Sequence, residues 1–275
     1  MTQPVEDFQR PQEWDAVADK YEHAFAKVSR KFAGHALRLA GVRAGMRVLD
    51  VCAGTGALTL AAARTGARVD AVDFSPAMVR HLRANVRAAG LTGVTVHEMD
   101  GQALTFPDGT FDAAFSIFGL MFFADRARGF AGMQRVLRPG GRIAVVLWNR
   151  PERVGNLRLL GQALRAGAPD FAMPAGPLPW QELEHPARFR RELEAAGFRN
   201  GVIHTIEETW DAASPAALWD DMVGMTPALE TLFRKLGRER LARVEAAFVA
   251  ALRAEAGSDG PVALAGEAHV GVGEK

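Results

Sequence analysis

The sequence of 275 residues predicts an α/β fold, a doubly wound, seven-stranded, mostly parallel sheet with helices on both faces. Three observations support this prediction. Short apolar runs alternate with helix-length segments, 48% of the residues are hydrophobic, and the apolar run at 48–51 leads into a Gly-x-Gly turn. Such a run is typical of a parallel strand that is buried on both faces and meets a ligand, because glycine lets backbone approach closely.

The first predicted elements are two short helices. Apolar residues recur at helical spacing between Trp14 and Leu39, ahead of the first strand. We expect these helices to form a lid over one edge of the sheet.

A regular alternation of strands and helices follows the lid. The predicted strands are residues 47–51, 68–72, 94–99, 111–117 and 142–148, and the predicted helices are 57–65, 76–89 and 124–137. Turn residues support these bounds, because Ser75 before Pro76 is typical of a helix N-terminus. Residues 138–141, Arg-Pro-Gly-Gly, stop a helix and supply positive φ before the fifth strand.

The composition changes after Pro151. Residues 168–180 are rich in proline, which helix interiors and central strands exclude, so we predict a cover loop there. The remaining predicted elements are a helix at 181–196, a strand at 202–209, a helical stretch at 215–256 and a final strand at 262–272. The last two strands then form a hairpin interrupted by a helical insertion.

Composition and charge exclude several classes of partner. The 33 basic and 32 acidic residues leave a net charge of +1, so the chain lacks the excess of positive charge that attracts nucleic acid or an anionic membrane. The seven histidines include no pair at i, i+4 spacing, so we expect no metal site. We expect a cytoplasmic protein with a small-molecule partner, because residues 1–10 lack an apolar signal region and the single cysteine, Cys52, fits a reducing compartment.

The glycine turn departs from the dinucleotide-binding fingerprint. Counting from Gly54, the sequence reads Gly-Thr-Gly-Ala-Leu-Thr, so Thr59 stands where that fingerprint has its third glycine. This departure favours a ligand without a pyrophosphate. An acid, Asp73, follows at the end of the second strand, where a carboxylate can accept hydrogen bonds from both ribose hydroxyls.

Four motifs in this order resemble the class I S-adenosylmethionine-dependent methyltransferases, and among them the ubiquinone/menaquinone-biosynthesis group. They are VLDVCAGTG at 48–56, DFSPAM at 73–78, DGQAL running into FPDGTFD at 100–112, and VLRPGG at 136–141. The resemblance covers residues 14–150 and is weaker beyond them. It implies a Rossmann-like fold, S-adenosyl-L-methionine as the cofactor, and methyl transfer to a small acceptor. Residues 1–150 would then form the cofactor-binding core with its lid, and residues 151–275 the substrate cover and last two strands of one domain.

The resemblance also implies roles for single residues. Asp73 would hold the ribose and Asp100 the adenine amino group, Tyr21 would cover the cofactor, and Asp50 would hold the glycine turn or the methionine amino group. The expected cofactor-binding residues are Tyr21, Asp50, Gly54, Thr55, Gly56, Asp73, Phe74, Ser75, Met78, Asp100, Gly101, Gln102 and Ser116. Six of them have a structural alternative, which is helix capping or solvation for Asp73, a turn for Asp50 or Asp100, and core packing for Tyr21, Phe74 or Met78.

Methyl transfer from a sulfonium is an in-line displacement that alignment and exclusion of water can accelerate, so a base is optional. His23 and His204 are candidate bases, with a structural role as the alternative for each. Residues 116–119 read Ser-Ile-Phe-Gly, which lacks the Asp/Asn-Pro-Pro-aromatic tetrapeptide of amino methyltransferases and disfavours a nucleic-acid substrate. Candidate contacts to an apolar acceptor, methylated on oxygen, carbon or nitrogen, are Phe118, Met121, Phe122 and Trp180.

Two other functions are consistent with the sequence. An NAD(P)-dependent oxidoreductase would use the same glycine turn and Asp73, although the third glycine and a Tyr-x-x-x-Lys pair are missing. A non-catalytic ligand-binding module of the same fold would need no base.

Overall fold

The computed structural model describes residues 9–172 and 181–275. Its helices are α1 (Pro11–His23), α2 (Phe25–Ala40), α3 (Ala57–Arg64), α4 (Pro76–Ala88), α5 (Arg126–Val136), α6 (Gly155–Gly167), α7 (Pro186–Ala195), α8 (Pro215–Met222) and α9 (Pro227–Ala256). Its strands are β1 (Arg47–Val51), β2 (Arg68–Asp73), β3 (Val94–Glu98), β4 (Phe111–Ile117), β5 (Leu137–Trp148), β6 (Arg199–Ala212) and β7 (Val262–Glu274). Most of the predicted cover loop, residues 173–180, lies outside the described part.

The seven strands form a single sheet in the order β3-β2-β1-β4-β5-β7-β6. The first five are parallel, and β7 lies antiparallel between β5 and β6. The predicted seven-stranded, mostly parallel sheet and its terminal hairpin are therefore confirmed. Chain order reverses beside β1, whose neighbours are β2 and β4, and open α/β sheets bind ligands beyond the carboxyl ends of the strands at such a point.

The two N-terminal helices follow the prediction. The buried face of α2 includes Phe25, Val28 and Phe32, which belong to the hydrophobic core. The helix ends at Gly41, whose φ of 69° is the left-handed conformation that commonly closes a helix. Helix α1 packs on α4, the helix that follows β2, and therefore lies over the carboxyl edge of β2.

The fifth strand begins earlier than predicted. Leu137 pairs with Phe111, and the amide of Gly140 donates to the carbonyl of Lys275 at 3.0 Å, so the Arg-Pro-Gly-Gly segment belongs to β5. Gly140 has the positive φ that the turn chemistry predicts, 75°.

The largest departures lie in the C-terminal half. Helix α6 falls in a region to which the sequence analysis assigned no element, and it packs against α9. The predicted helical stretch at 215–256 is two helices, and the backbone of α9 breaks at Gly237, with φ 73° and ψ 164°. No helix among the described residues is both long and apolar enough to cross a lipid bilayer.

Candidate functional site

A cavity of about 1410 Å³ opens at the carboxyl edge of the sheet. One part of its wall, the strand half, consists of residues at or after the ends of β1 to β4: Cys52, Gly54, Asp73, Phe74, Met78, Met99, Asp100, Gly101, Gln102 and Ile117. The rest, the helical half, comes mainly from α1, α2, α5, α6 and α9 and the segment after β4. Sites for one drug-sized ligand occupy about 300–1,000 Å³, so this cavity has room for two small molecules.

Asp73 fastens the glycine loop to the end of β2. Its Oδ2 accepts the amide of Gly54 at 2.8 Å, and its Oδ1 accepts the amide of Ser75 at 3.0 Å. A carboxylate offers about four lone-pair directions, so two remain for ligand hydroxyls. Burial raises the pKa of Asp73 to about 6, against the opposing effect of these amides.

Asp50 is buried and does not line the cavity. The hydroxyl of Thr59 donates to Asp50 Oδ2 at 2.6 Å, which ties α3 to β1. The threonine at the third-glycine position therefore has a structural partner in the preceding strand. Burial raises the pKa of Asp50 to about 7.

The loop after β3 forms a third part of the strand half. Asp100 is exposed, and its Oδ1 accepts the amide of Gln102 at 2.9 Å. Gly101 packs closely, since a Cβ there would lie 2.6 Å from Val51 Cγ1 and 2.7 Å from Phe123 Cζ. Asp100, Gly101 and Gln102 all line the cavity.

Helix α1 is fastened over the strand half by Asp15. Its Oδ1 accepts the hydroxyl of Ser75 at 2.6 Å and the amide of Ala77 at 2.8 Å, while Ser75 caps α4 by accepting the amide of Met78. This attachment places Tyr21 against the glycine loop, where a Cβ on Gly54 would lie 3.2 Å from the phenol oxygen.

The helical half is mostly apolar. Phe118 stacks on Trp148 with ring centroids 4.2 Å apart, and Phe122 meets Trp14 edge to face at 5.2 Å. Helices α6 and α9 add aliphatic side chains, namely Leu157, Leu160, Leu164, Leu229 and Leu232.

Charged residues line one margin of the helical half. Arg126, the first residue of α5, forms ion pairs with Glu182 and, at 3.4 Å, with Glu192. Lys235 of α9 is exposed at the same cavity. The arginine charge is thus matched by carboxylates within the protein.

The cavity brings together eleven of the residues predicted for the site. They are Tyr21, Gly54, Asp73, Phe74, Met78, Asp100, Gly101 and Gln102 from the cofactor set, and Phe118, Met121 and Phe122 from the acceptor set. Trp180 lies outside the described residues.

Seven predicted residues do not line the cavity: Asp50, Thr55, Gly56, Ser75, Ser116, His23 and His204. Ser116 is buried, and its Oγ accepts the amide of Leu120 at 3.0 Å. Gly56 caps α3 with φ 101°. The His23 side chain is 74% exposed and lies 4.0 Å from Asp221, and His204 belongs to β6.

The sequence analysis missed several cavity residues. Trp14, Phe25, Cys52, Arg126 and Asn156 all line the wall. The aromatic residues of α1 and α2 could have been found from the predicted lid, whereas Asn156 lies on the unpredicted α6.

Comparisons with known proteins agree with this geometry. Residues 48–141 match a family model described as a methyltransferase domain. An uncharacterized protein of Mycobacterium tuberculosis is 42% identical over 109 residues, 40% of this chain and 39% of that protein. A ubiquinone/menaquinone biosynthesis C-methyltransferase of Idiomarina loihiensis is 34% identical over 157 residues, 52% of this chain and 62% of that enzyme. The chain therefore matches less than two thirds of the length of either relative.

Solved structures extend the likeness in fold. The crystal structure of a putative methyltransferase from Bacillus halodurans superposes with a TM-score of 0.56 at 17% identity, covering 88% of this chain and 98% of that one. The [4+2]-cyclase SpnF has a TM-score of 0.58 at 20% identity, covering 99% and 97%.

The strand order and the crevice beside β1 define the Rossmann-like fold of the class I methyltransferases. The residues that match the methyltransferase-domain model, 48–141, include β1 from Val48 onward and all of β2 to β4 of that sheet.

Proposed function

We propose that the protein transfers the methyl group of S-adenosylmethionine to a small, largely apolar acceptor. The observation that carries the proposal is the two-part cavity, in which a polar strand half adjoins an apolar helical half. The methyltransferase domain match and the C-methyltransferase relative support the same chemistry. The class of the acceptor is part of this proposal, in which the methylated atom is an oxygen, carbon or nitrogen.

The strand half fits the proposed cofactor. Two lone pairs of Asp73 remain for ribose hydroxyls, Asp100 stands at the next strand end for the adenine amino group, and Phe74 and Met78 offer apolar surface for the nucleoside. Gly54 has φ 55° and packs closely against the Tyr21 ring, so a side chain at this position would press on the ring of the lid. Asp50, Thr55, Gly56, Ser75 and Ser116 would support this site from behind the cavity wall.

The cofactor would supply a methyl group on a positively charged sulfur, which keeps the bonding electron pair and leaves as a neutral thioether. The acceptor would gain the methyl group and lose a proton to solvent. The protein would contribute alignment and exclusion of water, through the α1 lid carrying Tyr21 and the ring wall around Phe118. No histidine of the described chain lines the cavity, so we assign no base to His23 or His204.

Calorimetric titration with S-adenosylhomocysteine and, separately, with NADH tests the cofactor. We expect saturable one-to-one binding of the thioether nucleoside and none of NADH. Binding of NADH alone would favour the oxidoreductase and refute the proposal.

A second candidate is a ligand-binding or non-methylating protein of the same fold, favoured by the likeness to the [4+2]-cyclase over 99% of this chain. A panel of phenols, quinones and amines with labelled S-adenosylmethionine separates the two. Label transfer to any member supports methyl transfer, whereas cofactor binding with no transfer across the panel favours the second candidate.

A further inference from the structure

Two polar side chains that line the cavity are more than nine-tenths buried in the described chain. They are Asp73, at 6% exposure, and Asn156, at 4%. Asp73 has partners for both oxygens. Asn156, the second residue of α6, lies in the helical half, where the wall is otherwise mostly apolar.

The side-chain amide of Asn156 has one partner among the described residues. The backbone amide of Leu157 donates to Asn156 Oδ1 at 3.0 Å. Because a backbone N–H can only donate, the oxygen must face it, and the NH₂ group is what Asn156 presents to the cavity. The NH₂ group donates no hydrogen bond to a described residue, so it is open to a ligand oxygen, and such a hydrogen bond contributes about 0.5–1.5 kcal/mol.

The surroundings favour an oxygen-bearing ligand. Leu160 and Leu164 follow Asn156 along the cavity-facing side of α6, and Trp148 lies in the same wall. An isolated donor in an apolar wall fixes the orientation of a ligand. The N-terminus of α6 has no side-chain cap, and its partial positive charge favours an oxygen that carries negative charge.

We propose that Asn156 is a specificity-determining residue that donates a hydrogen bond to an oxygen of the methyl acceptor, a hydroxyl, phenolate or carbonyl oxygen on a largely apolar molecule. That this molecule is a methyl acceptor rests on the proposed function, whereas its need for an oxygen does not.

The test compares 1-naphthol with naphthalene, which differ by one oxygen, on the full chain with and without saturating S-adenosylhomocysteine. Quenching of tryptophan fluorescence reports binding, and the measured quantity is the ratio of the two dissociation constants. We expect Asn156→Leu to reduce the preference for naphthol by about threefold to tenfold, the value of one hydrogen bond. Naphthalene affinity should change less than naphthol affinity in this variant.

The naphthalene affinity and one control variant separate hydrogen bonding from packing. Asn156→Leu removes the NH₂ donor, whereas a change in packing alone would alter the binding of both rings. Asn149→Ala is the matched control, because the Asn149 amide donates to Glu267 at 2.7 Å and does not line the cavity. It should keep the wild-type ratio.

The outcomes distinguish this inference from the proposed function. An unchanged ratio in folded Asn156→Leu, or failure of the wild type to bind either ring, overturns the inference. The Asn156 variant can lose the naphthol preference even if the wild-type protein does not bind S-adenosylhomocysteine. That pair of results refutes the cofactor assignment and leaves the role of Asn156 standing.

Discussion

The strand half and the helical half of the cavity are built on different principles. In the strand half, Asp73 and Asp100 each accept backbone amides within two residues of their own positions, and Asp73 also reaches the neighbouring loop at Gly54. In the helical half, the wall is assembled from rings and leucines of helices far apart in the chain. Short sequence motifs can therefore specify the strand half, whereas the tertiary packing of helices decides the helical half.

The largest expected effect on ligand binding is at Asp73, the carboxylate that we propose binds the ribose. Asp73→Ala should weaken S-adenosylhomocysteine binding by about 1.5–3 kcal/mol, because charge-assisted hydrogen bonds are lost. Calorimetry measures the change. Asp70→Ala is the control, since Asp70 is on the same strand but bonds Arg47 and His97 and does not line the cavity.

Equal affinity in folded Asp73→Ala and wild type would contradict the assignment of the ribose site. A similar loss in both variants would show that the effect comes from the strand rather than from the carboxylate.

The next effect is on stability, at Asp50. Its folded pKa of about 7 lies above the ordinary value of 3.8, so the folded state binds more protons between these values and loses stability as pH rises from about 4 to 7. An asparagine at this position would not titrate. Asp50→Asn should therefore gain stability relative to wild type by at most about 1.4 kcal/mol per pH unit in that window, and no more above it.

Urea denaturation of both proteins at pH 5, 6, 7 and 8 measures this difference in unfolding free energy. A difference that does not vary with pH would show that Asp50 ionises as readily in the folded state as in the unfolded state.

A smaller effect is expected at the adenine end. Asp100→Ala should weaken S-adenosylhomocysteine binding by about 1 kcal/mol, because one contact is lost at an exposed position. Asp108→Ala serves as the control, since Asp108 pairs with Arg135 and does not line the cavity. Equal binding by the Asp100 variant and wild type in calorimetry would remove the adenine role.

The smallest effect tests the independence of the two halves. Lys235→Ala, at the margin of the helical half, should change S-adenosylhomocysteine affinity by less than about twofold and stability by less than about 0.5 kcal/mol. Calorimetry and urea denaturation give both values. A tenfold loss of affinity would show that the two halves do not bind independently.

The strand half could be predicted because its signals are local. The strand before Gly54, the acid closing β2 and the Asp-Gly pair after β3 each lie within a few residues of a strand end, and parallel strands bring those ends to one edge. The structural role of Asp50 could not be predicted in this way. Its partner is Thr59, and in the sequence Thr59 is recognisable only as the residue that replaces the third glycine of the dinucleotide fingerprint.

In the helical half, the sequence predicted Phe118, Met121 and Phe122 but missed helix α6, for a physical reason. Helix α6 begins at Gly155 without a side-chain cap, so the usual start signal is absent. Its apolar spacing, Leu157, Leu160 and Leu164, was the available signal. Asn156 could not be recognised from sequence, since an asparagine near a helix start ordinarily reads as a capping residue.

The break in α9 at Gly237 has a consequence for the evolution of this protein. Residues 225–235 reach the cavity, whereas Val244, Phe248 and Leu252, beyond the break, are buried in the core. Gly224 and Gly237, with φ of 74° and 73°, bound that wall segment. Selection can therefore change the cavity-facing residues of this segment, such as Ala228 and Lys235, and so alter which molecules are admitted, while Phe233 and Leu236 keep their places in the core.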